Sequence, residues 1–181
     1  MPRIYTKTGD DGTTGRLYGG RVSKAAAATE ASGAIDETLA AIGVARALCE
    51  DPELSLELLR LQRDLFIVGA DVASNPGQRT KLEPGVSLVT DAMVDTLEDR
   101  IDVLVAEHPL PNAFVVPGAN STSAALDVAR AAARRAERRV VALRETETEV
   151  NEAAVRYLNR LSDLLFVMAR WQAGESEPLS R

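Results

Sequence analysis

At 181 residues the chain suits one folding unit, and 45% hydrophobic residues with only 4% aromatics call for a core of Leu, Val, Ile and Ala that packs most readily as close helices. A formal net charge of −6 argues against a general nucleic-acid binder, which needs a broad basic face to release counterions. A single cysteine, Cys49, excludes an intramolecular disulfide; with no leader-like segment and no membrane-length apolar run, the expectation is a soluble cytoplasmic protein with no membrane partner.

Residues 5–24, YTKTGDDGTTGRLYGGRVSK, have five glycines and no helical or strand period, which predicts an irregular arm. From 25 to about 50, Ile35, Leu39 and Ile42 share a stripe and predict a first helix. Pro52 follows, and Leu54, Leu58, Leu61, Leu65, Val68 and Val72 alternate steps of four and three along a second helix starting at Glu53. The stretch SNPGQRTKLEPGV, residues 74–86, reads as a surface loop. Thr90 or Asp91 opens a third helix with Val94, Leu97, Ile101 and Leu104 inward, until prolines 109, 111 and 117 forbid its continuation.

Ser121 and Thr122 are candidate N-caps of a fourth helix bearing Leu126, Ala129, Ala133, Ala136, Val140 and Leu143. The fifth carries Val150, Ala154, Tyr157, Leu161, Leu164, Met168 and Trp171; LLFVM, residues 164–168, covers nearly its whole circumference. Such a helix either runs centrally or also faces another subunit, and the Ala-rich fourth helix permits close approach, so an oligomer is expected. Residues 174–181 read as a frayed tail. The sum is a single all-α domain, 1–181: an arm over 1–24, a five-helix bundle over 25–173, and the tail.

Chemistry can sit in few places. On the fourth helix Arg130, Arg134 and Glu137 fall within roughly 60° of one another beside the apolar stripe, at about 100° per residue. They are either an Arg134–Glu137 pair plus solubility, or a polyanion site, since guanidinium forks match phosphate oxygens. The arm holds a phosphate loop's inventory: flexible glycines, the hydroxyls of Thr6, Thr8, Thr13 and Thr14, and the ammonium groups of Lys7 and Lys24. It is not a Walker loop, because GRLYGGRV, residues 15–22, has Arg21 and Val22 where Lys and Ser/Thr are needed.

Asn159 and Asp163 on the fifth helix, and Asp36 and Glu37 on the first, require polar partners, structural or ligand-borne. A ferritin-like dimetal site is excluded, since the one histidine, His108, has Val105 where a Glu would be needed. Cys49 lacks an activating motif and reads as a packing residue. Any reaction must therefore proceed without a protein nucleophile.

YTKTGDDGTTGRLYGGRVSK, RAAARRAERRV and YLNRLSDLLF, in this order and spacing, resemble the PduO-type ATP:cob(I)alamin adenosyltransferases across nearly the entire chain. The resemblance implies a ferritin-like, cobalamin adenosyltransferase-like five-helix bundle, assembled as a homotrimer with active sites between subunits. It implies transfer of the 5′-deoxyadenosyl group of ATP to cobalt(I) of a corrinoid, with triphosphate released.

By the same resemblance Thr6, Lys7, Thr8, Gly9, Thr14, Gly15 and Lys24 would wrap ATP, with Arg134, Arg135, Ala136, Glu137 and Arg138 of RRAER and Asn159 completing its site. Mg²⁺ would be held mainly by phosphates and not by the protein. Arg130 resembles the family's essential arginine, paired across the interface with Asp36, and Arg134 joins them in the catalytic set. Phe114 resembles the aromatic that displaces the corrinoid's lower ligand. An electron-donating reductase and an adenosylcobalamin-dependent enzyme are the implied partners. The arm, as half a site, is expected to order only with ATP. Two departures stand out: TGDDG puts Asp11 where the family has lysine, and Ala119 replaces a glycine. A nucleotide-binding regulator of the same fold and a purely structural bundle are the rival readings.

Overall fold

A computed structural model describes residues 4–146, 149–174 and 177–180. The helical stripes become five helices: α1 (Ala27–Leu48), α2 (Pro52–Ala73), α3 (Asp91–Glu107), α4 (Ser121–Thr146) and α5 (Glu152–Ala173). α1 packs on α2 and α4, α4 on α5, and α5 on α3 with a lighter contact to α2. The apolar residues named for α2 are at most 5% exposed, and those of α4 are at most 1% exposed. Leu164, Leu165, Val167 and Met168 are buried within the one chain, so the all-round apolarity of α5 follows from its central course.

Local chemistry sets the ends. α2 starts one residue before the expected position, because Pro52 suits the first helical turn and Asp51 Oδ1 accepts from the amides of Glu53 (2.8 Å) and Leu54 (3.2 Å). At α4 the expected caps are displaced. Asn120 Oδ1 accepts from Ser123 N at 2.8 Å while Ser123 Oγ accepts from Asn120 N at 3.2 Å, a reciprocal box. Thr122 instead donates its hydroxyl to Leu48 O, tying α4 to the end of α1.

Three segments differ from their expectation. Within the arm, β1 (Thr13–Gly15) and β2 (Arg21–Ser23) pair antiparallel, Thr14 opposite Val22, around a turn where Tyr18, Gly19 and Gly20 all have positive φ. The arm is thus knit to itself, and it is moored to the end of α2: Leu17 N donates to Ala73 O and Asn75 Nδ2 to Gly19 O, both 3.0 Å. The 74–86 loop contains a 3-10 turn, Pro76–Lys81. Buried Asp71 gathers this end, accepting from Arg79 Nη2 (2.5 Å), Val89 N (2.9 Å) and Asn151 Nδ2 (2.7 Å).

The tail is not frayed where it is described. Residues 177–180 lie along the loop before α4: Val116 N donates to Pro178 O and Ser180 N to Phe114 O, each 2.8 Å, with Val115 bridged to Leu179. Those two backbone bonds, and the ion contact of Glu177 with Arg170, supply the reason. Parts of the arm and tail expectations, at residues 1–3, 175, 176 and 181, lie outside the described residues.

Candidate functional site

The arm is built around two cations. Arg21 reaches back to Thr8 O at 2.5 Å and, through Nε, to Thr13 Oγ1 at 2.9 Å. Lys24 Nζ donates to Gly9 O at 2.7 Å, which spends one of its three donors and leaves two. Lys7 sits at a left-handed φ of 61°, between Thr6 and Thr8, whose hydroxyls are 2.8 Å apart. Thr14 and Gly15 line a cavity of about 150 Å³ with Val22, Thr29 and Ser32.

Asp11, the departure from the family pattern, is absorbed into the arm. Its carboxylate accepts from the amide (2.9 Å) and hydroxyl (2.8 Å) of Thr13 and lies 3.5 Å from Arg21. The Thr13 amide first, and then its hydroxyl, hold the Asp11 carboxyl below its usual range. Asp11 and Arg21 thus form a structural unit of the arm.

On α4 the charged residues divide between two directions. Arg135 pairs with Glu37 and Arg139 with Glu30 at 3.7 Å, both toward α1. Glu137 accepts from Asn159 Nδ2 of α5 at 3.2 Å, rather than closing with Arg134 one turn away. Arg130 Nε donates to Asp127 Oδ1 at 2.9 Å, and Asp127 in turn meets Arg170 of α5. Arg134 and Arg138 are exposed, and Ala136 is fully buried. The C-terminal half of α4 lies beside the N-terminal half of α1, from which the arm departs, so the arm and the arginine row share one end of the bundle.

Asp36 is exposed on α1, and within this chain the partner of Arg130 is Asp127. Asp163 lies 3.8 Å from Arg160, which also donates to Asn159 Oδ1 at 2.5 Å. Phe114, 87% exposed, stands on the loop before α4, beside a cavity of about 560 Å³ walled by Val115, His108, Trp171, Arg170, Glu177 and Leu179. His108 stacks on Trp171 with ring centroids 5.2 Å apart, a packing role. Burial raises the Cys49 thiol above its ordinary value, which suits an inert side chain.

Sequence reasoning missed Arg21, Asp127, Arg170 and Glu177. Asp127 could have been found, since it precedes Arg130 by one helical turn. Arg170 was visible as a lone charge in LLFVMARW. Among the described residues no group of three or more His, Cys, Asp and Glu is placed to hold a metal ion, and no helix is long and apolar enough to cross a membrane.

The architecture is that of a helical-bundle protein with a docked N-terminal hairpin. The cobalamin adenosyltransferase family matches residues 4–172. A corrinoid adenosyltransferase of Citrobacter freundii is 42% identical over 170 residues, covering 94% of each chain. One from Bacillus subtilis is 44% identical over 93% of this chain and 85% of its own. A variant PduO-type ATP:corrinoid adenosyltransferase from Lactobacillus reuteri, solved with cobalamin and ATP, superposes with a TM-score of 0.89 at 32% identity, covering 99% of this chain and 97% of that one. The chain belongs to the cobalamin adenosyltransferase family.

Proposed function

We propose that the protein transfers the 5′-deoxyadenosyl group of ATP to the cobalt of a reduced corrinoid, giving adenosylcobalamin and triphosphate. The observation that carries this is identity above 40%, over more than nine tenths of this chain, with enzymes named corrinoid adenosyltransferase. In the reaction cobalt(I) gives its electron pair to C5′, the C5′–O bond breaks, and that bond's electrons leave with the triphosphate. The absence of an activated Cys or His among the candidate residues is consistent with a nucleophile supplied by the substrate. The protein's part is to hold two substrates in line and to meet the leaving group's charge.

Lys7 and Lys24 with the Thr6, Thr8 and Thr14 hydroxyls would grip the phosphates, Gly9 and Gly15 allowing close backbone approach. Arg134, Arg135 and Arg138 would add guanidinium forks, and Asn159, already bonded to Glu137, would orient the nucleotide. Mg²⁺ fits this donor set only as an ion carried by phosphate oxygens. Phe114, apolar and exposed, would occupy the lower face of the corrinoid without offering cobalt a donor atom.

The active site lies between neighbouring chains of a homotrimer. Arg130, Glu137 and Asn159 face the α4–α5 side, whereas the arm is moored at the start of α1 and the end of α2. A nucleotide that touches both draws the arm from one chain and the arginine face from another, with Arg130 reaching the neighbour's acid at position 36. Exposed Val44, Leu48 and Val128 on α1 and α4 supply apolar area for that contact. The protein works in the cytoplasm, taking its electron from a reductase and delivering product to an adenosylcobalamin-dependent enzyme.

The test is incubation with reduced cobalamin and MgATP. The expected outcome is the absorption spectrum of adenosylcobalamin with one triphosphate per turnover, abolished in Arg130→Ala; formation of ADP and phosphate would sink the reading. Binding of ATP without corrinoid would favour the regulatory alternative.

A further inference from the structure

Arg170 occupies the last turn of α5, its side chain 5% exposed. A buried guanidinium is tolerated only with counter-charges, and two are present. Its Nη2 donates to Asp127 Oδ2 on α4, and its Nε lies 2.8 Å from Glu177 Oε2 in the C-terminal segment. Its guanidinium also stands 5.0 Å from the centre of the Phe166 ring. Asp127 is bidirectional: its other oxygen, Oδ1, accepts from Arg130 Nε. The order Arg130, Asp127, Arg170, Glu177 alternates in sign and cancels.

Of the four, Arg130 is the most open, its side chain 30% exposed against 6% for Asp127. With Nε held by Asp127 at 2.9 Å, its planar fork has lost rotational freedom. If Arg170 lost its fork, Asp127 would be free to turn both oxygens onto Arg130 and re-aim it. If Glu177 lost its charge, Arg170 would draw harder on Asp127 and loosen the bond to Arg130. The residues that follow Glu177 are held by backbone bonds, Pro178 O accepting from Val116 N and Ser180 N donating to Phe114 O.

We propose that Arg170 is a positioning residue for Arg130, acting through Asp127, and that Glu177 sets the strength of that coupling from the C-terminal segment. Docking of residues 177–180 beside Phe114 and the aim of Arg130 are then one event. The proposal rests on the reading of Arg130 as an active-site arginine.

Arg170→Lys and Glu177→Gln, which keep size, are measured in the full chain for kcat, KM for each substrate, ATP affinity by calorimetry and thermal midpoint. Each is expected to lower kcat about 10- to 100-fold, as small misplacements of a catalytic group do, with ATP affinity within about twofold of wild type. In an Arg130→Lys background, where the fork is already gone, the same changes should add less than about twofold. Wild-type kcat in Arg170→Lys, or a loss equal in both backgrounds, would overturn the proposal and leave Arg170 a packing residue. The ¹⁵N resonance of the Arg130 Nε–H supplies an activity-independent readout: it should shift in both variants, and an unmoved signal also overturns the coupling. A wild-type chain that yields no adenosylcobalamin, with the shift still seen in both variants, would overturn the functional reading and not the coupling.

Discussion

Asp11 shows how a single residue can depart from a family pattern without loss of local order. A lysine at this position would offer charge to phosphate; the carboxylate instead anchors Thr13 and faces Arg21, so it serves the arm's shape. Asp11→Ala should therefore raise KM for ATP by about threefold to tenfold, with kcat and thermal midpoint nearly unchanged. Steady-state kinetics decide it, and a lowered KM would mean that the negative charge opposes ATP. That a carboxylate at position 11 suits phosphate poorly was legible from its charge. Its alternative partners were not, because Arg21 reaches it only after the chain has turned back at Tyr18, Gly19 and Gly20.

At the scale of elements, the helices were legible because each stripe repeats many times and burial follows the repeat, as on α2 and α4. The hairpin was not, since two strands of three residues carry no readable alternation and gain their register by docking on the end of α2. The polar contacts between helices were equally hidden. Tyr157, fully buried on α5, donates to Asp64 Oδ2 of α2 at 3.0 Å, and Arg60 Nη1 reaches the same oxygen at 3.1 Å. Burial raises the Asp64 carboxyl above its ordinary value, against the smaller opposing effects of Tyr157 and Arg60. The folded chain then holds this proton more tightly than the unfolded chain. The resulting stability is fully present below the unfolded-state value and is lost as pH rises through the raised one. Urea unfolding at a series of pH values should show wild type losing stability relative to Asp64→Asn across that interval; a gain would mean that the ionised form is the favoured one. Tyr157→Phe should cost ~1 kcal/mol at neutral pH, the usual worth of one such bond.

For the whole molecule, the fold class was readable in the sequence, whereas the separate directions taken by the α4 arginines were not. Arg130, Arg134 and Arg135 are near neighbours in sequence, yet Arg130 turns to Asp127 and α5 while Arg135 turns to α1. In the proposed trimer the arm of one chain and the arginine of its neighbour build each site. Subunits combined from Lys24→Ala and Arg130→Ala chains should therefore recover activity. Random assortment gives about a quarter of sites an intact arm and an intact arginine from different chains. Ultracentrifugation should find a particle of three 19.4 kDa chains. Inactive mixtures of well-assembled trimers would place the whole site within one chain.

The pairing of residues 177–180 with the Phe114 loop also bears on how the protein is handled. A tag fused just behind residues 177–180 would pull on their pairing with the Phe114 loop, and one fused just ahead of the arm would pull on the hairpin moored to α2. A tag or fluorophore is better carried at the turn around Val86, which is 65% exposed and remote in sequence from every proposed substrate contact.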